Sequence, residues 1–73
     1  MTTQSFVIQF DRDTVGIAVR IPGGFMFHAS ERDFEELDGR TFRRLRAVGR
    51  DVRRVGRQLE SMERAHLQSP ALA

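Results

Sequence analysis

TFRRLRAVGRDVRRVGRQLESMERAH, residues 41–66, is the stretch on which the fold turns. Its apolar positions Leu45, Val48, Val52, Val55, Leu59 and Met62, and then His66, follow one another at alternating steps of three and four. That is the seam of a heptad sustained for about three repeats, and it predicts a long helix over 41–67. Arg43, Arg50, Arg57 and Arg64 stand seven apart on the opposite side, with Arg46, Arg53 and Arg54 beside them. One helix therefore carries an oily stripe and a basic one.

Upstream of it, Gly39 suits the left-handed stop of a short helix over 31–38, with Phe34 and Leu37 turned inward. Ser30 is placed to cap that helix, with Asp33 three residues on in an approximate capping box. Further upstream the period changes to two. Phe6, Ile8 and Phe10 alternate with Val7 and Gln9, and Val15, Ile17, Val19 and Ile21 alternate in the same way. Both runs read as strands, joined by the polar connection Asp11 to Thr14. Pro22-Gly23-Gly24 reads as a three-residue loop, because that length sets Ile21 opposite Phe25 and Val19 opposite Phe27 and so gathers the large apolar residues on one face. The expected architecture is α+β: a three-stranded antiparallel meander over 5–29, a short helix, the long helix, and a frayed tail over 68–73. All of it forms one small domain, residues 1–73.

Seventy-three residues bury little. A chain of this length removes only roughly 60% of its unfolded surface from water and is marginal without a further device. With no cysteine, disulfides and thiolate metal sites are excluded. A second subunit is the device left. Strands of about 20 Å are also shorter than a helix of about 38 Å, which predicts that Val55, Leu59 and Met62 overhang the sheet. Gly49 and Gly56 lie beside the seam, where a close-approaching backbone would explain them. The expected self-contact is therefore Val48, Gly49, Val52, Val55, Gly56, Leu59 and Met62, with pairing through the Ser5 to Phe10 edge as a second mode.

Charge is unevenly spread. Residues 1–39 hold three arginines against seven acids, and residues 40–73 hold nine against three. All twelve basic residues are arginine, a bias that GC-rich coding also produces, so the sequence pI near 11.0 says little by itself. Arg43, Arg46, Arg50, Arg53, Arg54 and Arg57 are the candidate nucleic-acid contacts, although no Tyr or Trp accompanies them.

Nothing points to catalysis. His28, Ser30 and Asp33 cluster as such residues do at strand-to-helix turns, and Pro22-Gly23-Gly24 lacks the lysine and following helix of a phosphate loop. The expectation is no enzyme, no cofactor, no metal and no small-molecule substrate; a pocket around Gln9, Arg20 and His28 would be the sole place for one. Without an apolar leader or span the chain reads as cytoplasmic, with no membrane partner.

The run Phe25-x-Phe27-x-Ala29-Ser30, continued by Phe34-x-x-Leu37-Asp38-Gly39-Arg40-x-Phe42-Arg43-x-Leu45-Arg46, resembles a family of short, uncharacterised alphaproteobacterial proteins. The resemblance covers roughly residues 5 to 50. It implies a cytoplasmic bacterial protein and carries no activity or site. The functional expectation is a small homo-oligomeric interaction module, most simply a dimer, with an arginine-rich nucleic-acid-binding regulator as the alternative.

Overall fold

The structure, a computed structural model, describes residues 3–68, with side chains placed as far as Glu63. The expected tail beyond Gln68 and the side chains of Arg64 and His66 lie outside the described residues. The fold is α+β: β1 (Ser5–Phe10), β2 (Asp13–Ile21), β3 (Gly24–Ala29), a 3-10 turn (Arg32–Leu37), β4 (Thr41–Phe42) and α1 (Leu45–Gln68). The sheet is antiparallel in the order β1-β2-β3-β4. It has four strands where three were expected.

Both hairpins are tighter than the sequence reading made them. Asp11 and Arg12 alone turn β1 into β2, at φ values of 53° and 73°. Positive φ at both corners matches the right-handed strand twist, and aspartate tolerates it better than arginine does. The residues gained by β2 are absorbed by a bulge: Gln9 pairs with Thr14 and Ile8 with Gly16, leaving Val15 without an opposite number. Val7, not Ile8, then faces Ile17. At the second hairpin the loop is Pro22-Gly23, with Gly23 at φ 86° and Ile21 opposite Gly24. Proline first and a positive φ second are the marks of a type II turn.

The three-residue loop is thereby overturned, and with it the assignment of faces. Phe25, Phe27 and Ala29 pair with Arg20, Ala18 and Gly16, while Ile17, Val19 and Ile21 pair with His28, Met26 and Gly24. The interior face of β2 is its small-residue face. A side chain at Gly16 would collide with the Phe27 ring and the His28 carbonyl, so the phenylalanine of β3 fills what β2 leaves empty. Gathering the largest residues on one face mistook which residues make room for which. The expected pairs Ile21/Phe25 and Val19/Phe27 fail for this reason.

Between the layers, Ser30 is not a cap. Its backbone N donates to the Val15 carbonyl at 2.9 Å, and the 3-10 turn begins without a side-chain cap bond. Asp38 closes that turn from the other end, its Oδ1 accepting the Ala29 N–H at 2.8 Å. Gly39 takes the expected left-handed conformation, φ 81°, and releases the chain back toward β3. There Gly39 N donates to the Phe27 carbonyl and Phe27 N to the Arg40 carbonyl, which draws Thr41 and Phe42 in as β4. The helix consequently starts at Leu45 rather than Thr41.

The core is Val15, Ala18 and Phe27 from the sheet, Phe34 and Leu37 from the 3-10 turn, and Val48, Val52 and Val55 from α1. Ile8, Phe10, Phe25, Phe42, Leu45 and Leu59 pack around it. From Leu45 to Leu59 the three-and-four seam faces inward, against the chain's own sheet, while Met62 is exposed. Val55 is 1% exposed, so the expected overhang at Val55 is wrong. Starting four residues later draws the helix back by roughly 6 Å, and a nine-residue β2 reaches further than the strand first read.

Candidate interaction surfaces

Helix α1 and the 3-10 turn cover one face of the sheet. On the other face stand Ser5 and Val7 of β1, Ile17, Val19 and Ile21 of β2, Met26 and His28 of β3, and Thr41 of β4, none of which belongs to the core. Val7 is 64% exposed and Ile17 37%, and Val19, Ile21 and Met26 are half-buried. None of these eight positions carries a formal charge, in a chain that is 30% charged. This face is a charge-free apolar plate. The interior face at the far end is closed differently, by Phe6 edge-on to Phe25 at 5.8 Å and by the Arg20 guanidinium 5.6 Å from the Phe25 ring centroid.

The helix surface is the second candidate. Arg46, Arg50, Arg53 and Arg57 recur at four, three and four residues, so they share the side of α1 turned away from the valines, and all are exposed. From first to last they cover roughly 16 Å of helix at 1.5 Å per residue. Asp51, at the flank, takes Arg54 at 3.8 Å and Arg40 at 3.9 Å. Among the described residues no carboxylate stands within ion-pair distance of Arg43, Arg46, Arg50, Arg53 or Arg57. Pairing with the acids of 31–38 does not occur. Arg43 precedes the helix and so drops out of the helical stripe.

Six carboxylates gather elsewhere, Glu31 and Asp33 among them. Asp11, Asp13, Glu31, Asp33, Glu60 and Glu63 rim a groove of about 410 Å³ whose floor is Phe10, Phe34, Gly56 and Leu59. No three carboxylates or histidines among the described residues come together as a metal site.

No family model, curated protein or solved structure matches this chain. Of the expected self-contact, Val48, Val52, Val55 and Gly56 are buried inside the fold and unavailable, Leu59 is half-buried, and Gly49 lies beside β1 in a shallow groove with Gln9 and Arg53. Met62 alone is bare, at 68% exposed. Gly56 admits a ring rather than a neighbouring helix: a Cβ there would lie 2.5 Å from Phe10 Cζ. The plate itself was missed, because Ile17, Val19 and Ile21 were counted as core. The small residues Gly16 and Ala18 between them were the available signal. No helix among the described residues is long and apolar enough to cross a membrane.

Proposed function

We propose that this protein is a self-associating interaction module whose contact is the outer sheet face of β1 to β3. The observation that carries it is a plate of Val7, Ile17, Val19, Ile21 and Met26 outside the core, the first two exposed and the others half-buried, while the helix covers the opposite side. Large exposed apolar patches mark contact surfaces, and a symmetric dimer needs a patch compatible with its own copy. The plate meets that condition because it holds no formal charge; the arginine face and the acid-rimmed groove would each repel their own copies. Two plates stacked face to face would sit about 10 Å apart, with the helices outermost.

The area is modest. Three strands about 20 Å long cover roughly 14 by 20 Å, at or below the lower bound for specific interfaces, so the expected dimer dissociates in the micromolar range. Sedimentation equilibrium tests it: the chain dimerises with a dissociation constant of roughly 10–100 μM. Ile17→Glu, on an already exposed position, leaves a folded monomer. A monomer persisting to about ten times that concentration sinks the proposal, and so does an association lost in Met62→Glu but kept in Ile17→Glu, which would move the contact to the helix end.

A further inference from the structure

The arginine side of α1 is not needed for that dimer and faces away from it. We propose that Arg46, Arg50, Arg53 and Arg57 form a sequence-independent contact for the phosphate backbone of duplex nucleic acid. Four arginines share one helix side with no carboxylate within ion-pair distance among the described residues, and the pairs Arg46/Arg50 and Arg53/Arg57 repel one another until a polyanion lies across them. The chemistry narrows the polyanion further. Anchoring at a membrane surface gains from apolar side chains set beside the basic ones, and the apolar side of α1 is sealed against the sheet at Val48, Val52 and Val55. Single strands are held by aromatic platforms, yet Phe27 and Phe34 are buried, Phe10, Phe25 and Phe42 pack against the core, and Phe6, exposed on β1, rests edge-on against Phe25. The stripe also lacks the Asn and Gln that read adenine, with Gln58 displaced from its line, and offers arginine alone, whose charge any phosphate satisfies. A rigid, densely charged rod met by positive charge alone is what remains.

The experiment is fluorescence anisotropy of the full chain with a labelled DNA duplex of about 24 base pairs, from about 50 to 250 mM NaCl. Contact with four phosphates gives a log–log salt slope near −3.6, equal for two duplexes of unrelated sequence. Arg50→Glu with Arg57→Glu weakens binding at least about tenfold and flattens the slope, whereas Arg50→Lys with Arg57→Lys keeps most of it. Arg12→Glu with Arg32→Glu changes the net charge equally at positions outside the stripe, and shifts binding less than about threefold. Far-UV circular dichroism verifies that each variant is folded. The proposal is overturned by absent binding at the lowest salt, by equal losses in the two charge-reversed pairs, by tighter binding to phosphatidylserine vesicles at matched anionic charge, or by a stripe reversal that abolishes self-association and leaves duplex binding intact.

Discussion

A methyl group added at Gly56 would lie 2.5 Å from Cζ of Phe10 and 2.6 Å from both Cε atoms. The ring cannot slide away without leaving Phe34, whose centroid is 6.1 Å from its own. At Gly49, seven residues earlier, the nearest atom is Nη1 of Arg53 at 3.5 Å, the end of a pliable side chain. The same substitution therefore has opposite signs at the two sites. Gly49→Ala should stabilise by about 0.5–1 kcal/mol through helix propensity, while at Gly56→Ala overpacking of about 1–3 kcal/mol outweighs that gain. Urea denaturation at a concentration below dimerisation decides; equal stabilisation of both variants would mean that α1 does not press on β1. Arg12 is a further test at this scale. It holds φ 73°, a conformation that costs a residue with a Cβ roughly 1–2 kcal/mol, so Arg12→Gly should raise stability by up to about 1 kcal/mol after the larger entropy of the unfolded glycine is counted. An unchanged or lower midpoint would show that the turn relaxes in solution.

At the scale of elements, α1 has two faces that pull on stability in different ways. Its inner face holds the fold: each fully buried valine contributes roughly 1.5–3 kcal/mol, and in so small a domain Val52→Ala should remove about 2 kcal/mol. The outer face opposes the fold weakly. Arg46/Arg50, Arg50/Arg54 and Arg53/Arg57 are like-charged at i,i+4, each unfavourable by about 0.2–0.5 kcal/mol at low salt. Arg50 belongs to two of these pairs, so Arg50→Gln should raise the melting midpoint at about 20 mM NaCl and lose that advantage by about 0.5 M, where the charges are screened. A difference that persists at high salt would assign the effect to packing instead. Strand β4 makes the complementary point about placement. Thr41 and Phe42 carry a helix-compatible pattern, but the left-handed Gly39 and the Phe27–Arg40 backbone bond direct them onto β3. Gly24 permits this, since a side chain there would meet the Phe42 carbonyl.

For the molecule as a whole, the sheet divides two tasks: one face completes the core and the other is left for a partner. If two copies stack by their plates, the helices lie outermost with their arginine sides pointing in opposite directions. Such a dimer would tether two duplexes, and light scattering of duplex mixtures should rise with wild-type protein but not with Ile17→Glu, which still binds a single duplex. Equal scattering from both proteins would separate tethering from the plate. The α+β class, the antiparallel order of the first three strands, the inward seam of α1 and the stop at Gly39 could all be read from residues 5–66, because period, turn chemistry and φ preference are local properties. Which face of β2 turns inward was not local. It depended on Gly16 and Ala18 making space for the Phe27 ring, on a bulge at Val15, and on a two-residue loop between β2 and β3, where one residue in loop length exchanges the two faces. The tertiary structure decided this because packing selects for complementary volume across strands, and a one-residue change in register exchanges the buried set for the exposed one.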